Sequence, residues 1–180
     1  PLFINSNYTI IPKVIGQSIE DQQYYLDNNK PQIINQSSLA KDMKNLSEGE
    51  HDIKFTIVDT VGHDVSKEFK FVVDNTPPQI IVKAPKNNSA VSGTVDIDLD
   101  VNELPPAPTD WLVVKTPTQV FHDLKNISFD TTTVPNGNYT IEITSKDRAE
   151  NMGVAGITLD VDNSGPSVPS NKTASDQNFM

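Results

Sequence analysis

Two nearly identical pentapeptides stand 88 positions apart in this sequence, and they constrain its fold more than any other feature. Residues 74–78 read DNTPP and residues 162–166 read DNSGP. When residues 46–80 are laid on residues 134–168 without a gap, eight positions are identical and the apolar positions keep one register. Self-similarity at a fixed period is typical of a repeated structural unit. The sequence therefore predicts a tandem duplication.

Each copy alternates apolar and polar residues, which is the pattern of a strand with one buried face. GEHDIKFTIVD and GNYTIEITSKD are each followed by a turn, DTVGHD or DRAENM, and by a second alternating strand. Upstream in the second copy, QIIVKAP, VSGTVDIDLDV and WLVVKT predict three more strands, while PTQVFH and NISFD add short ones. SLAKDMKNL at 38–46 has helical spacing, and we expect no more than a single helical turn there.

About seven strands in a unit of this length indicate an immunoglobulin-like β-sandwich. The opening of the second copy, TPP at 76–78 followed by Ile80, Val82 and the segment VSGTVDI at 91–97, resembles the start of bacterial Ig-like repeats. Its end, with Gly137, Tyr139 and Asn151, resembles their closing pattern, although Glu150 stands where that pattern has glycine. The resemblance implies modules of cell-surface proteins, adhesins, S-layer proteins or accessory regions of secreted hydrolases.

The predicted fold class is all-β, with two tandem Ig-like sandwiches joined by a short linker that contains proline. We expect one domain at 1–75, a second at 76–163, and a tail or the start of a further module at 164–180. A proline after each Asp-Asn pair cannot donate to a strand ladder and stiffens the joint. The predicted core residues are Phe55, Ile57, Phe69, Phe71 and Val73 in one unit and Trp111, Ile141, Ile143, Ile157 and Leu159 in the other.

Charge and composition exclude several classes of function. The net charge of −10 argues against nucleic acid as a partner, because binding a phosphate backbone requires clustered Lys and Arg. No apolar run is long enough to predict a membrane span in this segment. The absence of cysteine removes disulfides, thiol nucleophiles and thiolate metal sites.

DTVGHD, with His63, lies in a turn whose counterpart DRAENM has no histidine, so we predict no catalytic site and no enzyme activity.

Oxygen-bearing side chains gather where strands end, and calcium binds oxygen ligands of this kind. Calcium is therefore the candidate ion, and we predict no other cofactor. The simpler alternative is a solvated strand face, since Asp96, Asp98 and Asp100 alternate with apolar residues. The predicted calcium ligands are Asp74, Asn75, Asp98, Asp100, Asp162 and Asn163.

Asn-x-Ser/Thr triplets are more frequent than random placement of these residues predicts. They are glycan acceptors only in a secreted or surface chain, and the simpler alternative is enrichment of these residue types in turns. We favour glycosylation in a native archaeal host. The predicted acceptors are Asn7, Asn35, Asn45, Asn87, Asn126, Asn138 and Asn171.

The first copy has no counterpart of the residues 77–88 that open the second copy. Strand donation by a neighbouring subunit is one explanation; a fragment of a longer chain, or an atypical first strand in PLFINSNYTII, is the other.

We predict an extracellular, cell-surface or secreted structural or adhesive module, with other subunits or neighbouring domains as partners. An accessory region of a secreted protease or glycoside hydrolase is the alternative. A carbohydrate-binding module is a third, although exposed aromatic residues such as Trp111 and one of Tyr24 and Tyr25 are few.

Overall fold

A computed structural model describes residues 1–13, 15, 18–102 and 109–166. The elements in chain order are β1 (Leu2–Ile4), β2 (Ile19–Leu26), β3 (Gln32–Ile33), α1 (Gln36–Lys44), β4 (Gly49–Asp59), β5 (Asp64–Val73), β6 (Gln79–Ala84), β7 (Ser89–Val91), β8 (Thr94–Asn102), β9 (Thr109–Lys115), β10 (Val120–His122), β11 (Asn126–Asp130), a 3₁₀ turn at Thr131–Thr133, β12 (Gly137–Asp147) and β13 (Met152–Val161). The prediction of a nearly all-β chain is confirmed.

The strands β1 to β5, which we call the first unit, form one sheet in the order β1-β5-β4-β2-β3. The strands β6 to β13, the second unit, form two sheets in the orders β10-β9-β12-β13-β7 and β11-β8-β6. The two sheets of the second unit enclose a single apolar cluster that includes Ile97, Leu99, Ile141 and Leu159. The second unit is therefore a β-sandwich, as its alternating pattern predicts.

The repeat is visible as one hairpin formed twice in the same register. In the first unit Gly49 pairs with Val73 and Ile53 with Phe69, and in the second unit Gly137 pairs with Val161 and Ile141 with Ile157. Each hairpin also has a short parallel strand on the outside, β1 against β5 and β7 against β13. The strand β1 thus corresponds to β7, and no described strand of the first unit corresponds to β6.

The helix α1 corrects the expectation of no more than one helical turn, because it has nine residues. Leu39 and Met43 lie four residues apart, on one face of the helix, and both are fully buried in the core of the first unit. The corresponding residues 126–130 of the second unit form β11 instead. Tertiary burial of one apolar face, rather than helical propensity, stabilises this helix.

The predicted core is largely confirmed, with one error. Phe55, Phe71 and Val73 are buried in the first unit, and Ile141, Ile143, Ile157 and Leu159 in the second. Ile57 and Trp111 are half-buried. The prediction for Phe69 is wrong: its side chain is 42% exposed, whereas its counterpart Ile157 is 5% exposed. A second sheet covers Ile157, and no second sheet forms among the described strands of the first unit.

In the described part of the chain, no helix has the length and apolar character that crossing a bilayer requires.

Candidate functional site at the joint between the two units

The three residues that follow β5 are tied back to the first unit by hydrogen bonds. Asp74 Oδ1 accepts from the Thr76 amide at 2.9 Å, and Asn75 Oδ1 accepts from the Ser6 amide at 2.7 Å. Glu48 Oε1 accepts from the Asn75 amide at 3.3 Å and from the Thr76 hydroxyl at 2.6 Å. The Asp-Asn pair therefore ends the strand in a defined turn, because its side chains satisfy amides that leave the ladder.

The same arrangement recurs at the end of β13. Asp162 Oδ1 accepts from the Ser164 amide at 2.9 Å, and Asn163 Oδ1 accepts from the Gly93 amide at 3.0 Å. Asn136, the counterpart of Glu48, accepts from the Asn163 amide at 2.9 Å. The Ser164 hydroxyl, then the Ser164 amide and the Asn136 side chain, lower the pKa of Asp162. The repeated pentapeptide is thus a repeated hydrogen-bonded turn.

At the first of these turns the second unit makes two direct hydrogen bonds to the first. Asn151 Nδ2 donates to the main-chain carbonyl of Asp74 at 2.9 Å, and Asn5 Nδ2 donates to the carbonyl of Ala149 at 2.8 Å. Asn5, Asp74 and Ala149 are all buried. Buried amides and carbonyls lose water and are costly to leave unpaired, so both bonds favour one relative placement of the units.

A single turn of the second unit, Asp147–Asn151, provides these contacts. Asp147 shapes it, because its carboxylate accepts from the Asn151 amide and from Asn151 Nδ2, each at 2.9 Å. The counterpart in the first unit is Asp59, which accepts from the His63 amide at 2.9 Å. That amide, together with the amides of Val61 and Gly62 and the His63 ring, lowers the pKa of Asp59. The His63 side chain is 84% exposed, so this turn presents its last side chain to solvent, unlike the Asp147–Asn151 turn at the joint.

Gly153 lets the linker approach this turn closely. A Cβ atom placed on Gly153 would lie 2.0 Å from the carbonyl oxygen of Pro78, a separation that no side chain tolerates. The counterpart of Gly153 in the first unit is Val65. The first unit therefore cannot receive a linker along the same path.

The structure places the predicted calcium ligands at three separate locations. Asp74 and Asn75 lie at the joint, Asp162 and Asn163 lie beyond the far end of β13, and Asp98 and Asp100 lie on β8. Asp100 is 3.3 Å from Lys83 and 3.9 Å from Lys125. Over residues 1–13, 15, 18–102 and 109–166, no group of three or more His, Cys, Asp or Glu side chains is arranged to hold a metal ion. Calcium binding stays a prediction.

The predicted glycan acceptors lie on the surface wherever the structure describes them. Asn7, Asn35, Asn45, Asn87, Asn126 and Asn138 are exposed, while Asn171 lies outside the described residues. The Oδ1 atom of Asn87 accepts from the Thr158 amide at 2.8 Å, which leaves its nitrogen available. Exposure is required for modification, and occupancy stays a prediction.

Sequence reasoning missed the residues that join the units. Asn151 was noted only as part of a closing pattern, and its donation to Asp74 depends on a partner 77 positions away. Asn5 has no sequence signal at all, because its acceptor lies 144 positions away. His51 is also held structurally, with its ring nitrogens 2.7 Å from Asp27 Oδ2 and 2.8 Å from the Ser47 carbonyl. Tyr24 is buried and Tyr25 half-buried, so at most one of them offers a sugar-stacking surface.

A model of the family described as bacterial Ig-like domain (group 3) matches residues 35–108 and 123–180, which is more than half of the chain. No curated protein matches the sequence.

Among solved structures, the fibronectin(III)-like modules of Clostridium thermocellum CbhA align with 89% of this chain and 89% of their own, at 12% identity and a TM-score of 0.54. A 1.5-MDa bacterial ice-binding adhesin aligns over 91% of this chain and 62% of its own, at 13% identity and a TM-score of 0.42. The endo-β-1,4-mannanase of Thermotoga petrophila aligns over 51% of this chain at 19% identity and a TM-score of 0.43, and the match covers 21% of the mannanase. The likeness to the CbhA modules supports the fold alone.

Proposed function

Because the chain belongs to the bacterial Ig-like domain family of group 3, we propose that it is a non-enzymatic, extracellular structural or adhesive module of a cell-surface assembly such as an S-layer, a stalk or a filament. Its work in this proposal is mechanical: two units held at a fixed distance and angle. Residues 1–75 and 76–163 act as the two domains, with 164–180 as a tail or the start of a further module.

The joint supports this proposal more than any other observation. A partly buried hydrogen bond from Asn151 to Asp74 and a buried one from Asn5 to Ala149 connect the units, and the close approach of the Pro78 carbonyl to Gly153 holds the linker against the second unit. A flexible tether between independent modules would need neither buried amides nor such a close approach. The arrangement suits a protein that transmits position or force along its length.

The proposal extends to partners and surroundings. Other subunits of the assembly, or neighbouring domains of the same chain, contact the two units, and strand donation between subunits is one mode of contact. Exposed sequons such as Asn126 and Asn138 would carry glycans on a surface glycoprotein of an archaeal host. The net charge of −10 implies an acidic surface, which favours solubility through mutual repulsion.

The second candidate is an accessory region of a secreted protease or glycoside hydrolase, which holds substrate or anchors the enzyme. The likeness to the fibronectin(III)-like modules of CbhA over 89% of the chain is the observation that favours this candidate, because those modules share its fold. In this role the chain would again be non-catalytic.

One deletion experiment in the native host tests both candidates. Residues 76–163 are removed from the full-length gene, and the surface assembly is imaged by electron microscopy while secreted hydrolase activity on insoluble substrate is assayed. A shortened or disordered surface layer supports the structural role. An unchanged surface with reduced activity on insoluble substrate supports the accessory role. The matched control is Val154→Ala, a substitution at an exposed position of the second unit.

A further inference from the structure

One face of the first sheet is left partly uncovered. Its apolar side, which carries Phe55 and Phe71, is covered by α1 at one end, but near the start of β5 it forms a groove of about 200 Å³. The groove is lined by Pro12 and Lys13 and by side chains on one face of β4 and β5, among them Phe55, Ile57, Val65, Lys67 and Phe69. We call it the β5 groove.

The corresponding surface of the second unit is occupied by a strand. There β6 packs Ile80 and Val82 against the cluster that contains Ile157, and the residue before β6 contacts Gly153. The counterparts in the first unit are exposed: Phe69 to 42% and Val65 to 63%. The β5 groove therefore lies where a strand lies in the second unit, and its apolar floor is in contact with water.

The groove cannot hold a strand at the depth at which β6 lies in the second unit. Val65 and Lys67 stand where the second unit has Gly153 and Ala155. These larger side chains raise the floor, so an occupant must rest on them rather than lie at the depth of β6. Pro12 and Lys13 border the groove and belong to no strand in the described part of the chain, so they do not close it as a paired sheet would.

Charge indicates what chemistry the occupant has. Among the described residues that line the groove, the charged ones are Lys13 and Lys67, although the whole chain has a net charge of −10. The Lys67 ammonium lies 5.9 Å from the centre of the Phe69 ring, so a cation and an apolar surface are presented together. A complementary ligand has apolar side chains and carboxylates.

We propose that the β5 groove binds an extended segment of a partner subunit in which apolar residues alternate with Asp or Glu. The apolar side chains contact Val65 and Phe69, and the carboxylates pair with Lys13 and Lys67 at the rim. A second copy of this chain is a less suitable occupant through the same face, because two such grooves would bring their lysines together. This inference rests on the proposed role in a surface assembly and specifies its mode of contact.

Two peptides test the proposal on the full 180-residue chain. The first has the sequence of residues 76–88, TPPQIIVKAPKNN, and the second is the same peptide with Lys83→Glu and Lys86→Glu. Binding is followed by amide chemical shifts in NMR. We expect the acidic peptide to bind about fivefold more tightly, to shift the amides of Lys13, Val65 and Phe69, and to weaken with added salt. Lys67→Glu should reverse the preference between the two peptides.

A charged residue at an exposed position outside the groove is the matched control. Val154→Glu, at a site that is 73% exposed on β13, should leave binding unchanged, whereas Val65→Glu should abolish it. Equal binding of the two peptides, shifts confined to other surfaces, or no binding at millimolar peptide would overturn the proposal. Self-association of the chain that Val65→Glu prevents would assign the groove to a second copy and overturn it as well. None of these outcomes changes the joint or the deletion experiment, so the proposed function is judged separately.

Discussion

The side chain of Asn151 donates a 2.9 Å hydrogen bond to the main-chain carbonyl of Asp74, 77 positions earlier in the chain and on the other side of the joint. The same nitrogen also donates to Asp147 at 2.9 Å. One amide group therefore holds its own turn and the end of β5 together. His63, the counterpart of Asn151, also lies beside its turn carboxylate, 3.1 Å from Asp59, but makes no equivalent second contact with another described residue across a joint.

Asn151→Ala should widen the range of angles between the two units. It removes the hydrogen bond to the buried Asp74 residue, at a cost of about 0.5 to 1.5 kcal/mol. Because the sequence has no cysteine, spin labels can be placed at Glu68→Cys and Glu142→Cys, one in each unit. Pulsed electron resonance should then show a broader distance distribution than in the parent protein.

His63→Ala is the matched control for that substitution, since it changes the corresponding turn at the exposed end of the first unit. Its distance distribution should equal that of the parent. A distribution that stays narrow in Asn151→Ala would show that the linker alone orients the units.

Gly153→Ala should displace the linker rather than the strand. The new methyl group would meet the Pro78 carbonyl at 2.0 Å, and backbone must move because no flexible side chain is available to yield. We expect a shifted mean distance between the same labels and a lower melting temperature. Val65→Ala, at the corresponding site of the first unit, should change neither the distance nor the melting temperature appreciably. Equal behaviour of the two variants would contradict the close approach.

The hairpins and the period could be predicted from sequence because period-two alternation and the repeated Asp-Asn turn are local signals. The helix α1 was underestimated because its stability depends on Leu39 and Met43 finding a core, which is a tertiary effect. Phe69 was misplaced because alternation shows which face of a strand a residue lies on, and not whether another sheet covers that face. The position of the joint could be predicted, but the hydrogen bonds across it could not, because Asn5 and Ala149 meet across 144 positions.

The loss of unfolding free energy on substitution by alanine should distinguish side chains that another element covers from side chains that are partly in water. Phe71→Ala and Leu159→Ala should each lower the free energy of unfolding of their unit by about 2 to 5 kcal/mol, because both side chains are fully buried. Phe69→Ala should cost less than about 2 kcal/mol, because this ring is already partly in water. Urea denaturation followed by NMR amide intensities of each unit gives the three values. A Phe69→Ala loss as large as that of Phe71→Ala would mean that the β5 groove is closed in solution.

Tyr24 should make the first unit sensitive to alkaline pH. Burial, and then the hydrogen bond and charge of Asp42 at 2.7 Å, raise the pKa of Tyr24 to about 12. Tyr24 in the folded state therefore stays protonated at pH values at which the tyrosine of the unfolded chain, which titrates near 10, has lost its proton. This contribution to stability is complete below pH 10 and is lost as the pH rises towards 12. Thermal unfolding from pH 8 to 12 should show this decline, and Tyr24→Phe should flatten it, whereas Tyr139→Phe, at a half-buried tyrosine of the second unit, should not.

Calcium binding can be tested at the second Asp-Asn turn. If calcium joins Asp162 and Asn163 with ligands from a following segment, adding calcium should raise the melting temperature, and the increase should grow with the logarithm of the calcium concentration above Kd. Asp162→Asn should remove that increase, whereas Asp98→Asn should leave a turn-bound ion in place. Melting temperatures that are the same in calcium and in chelator would end the calcium hypothesis.

The contrast between Gly153 and Val65 makes the two copies unequal members of a series. In a rearranged gene with the first copy placed second, the Pro-Pro linker would collide with the Val65 side chain. The two units could then not keep their present contact at the joint. Duplication alone thus does not yield an interchangeable building block, because the absence of one side chain, at Gly153, determines which copy can follow and which can only lead.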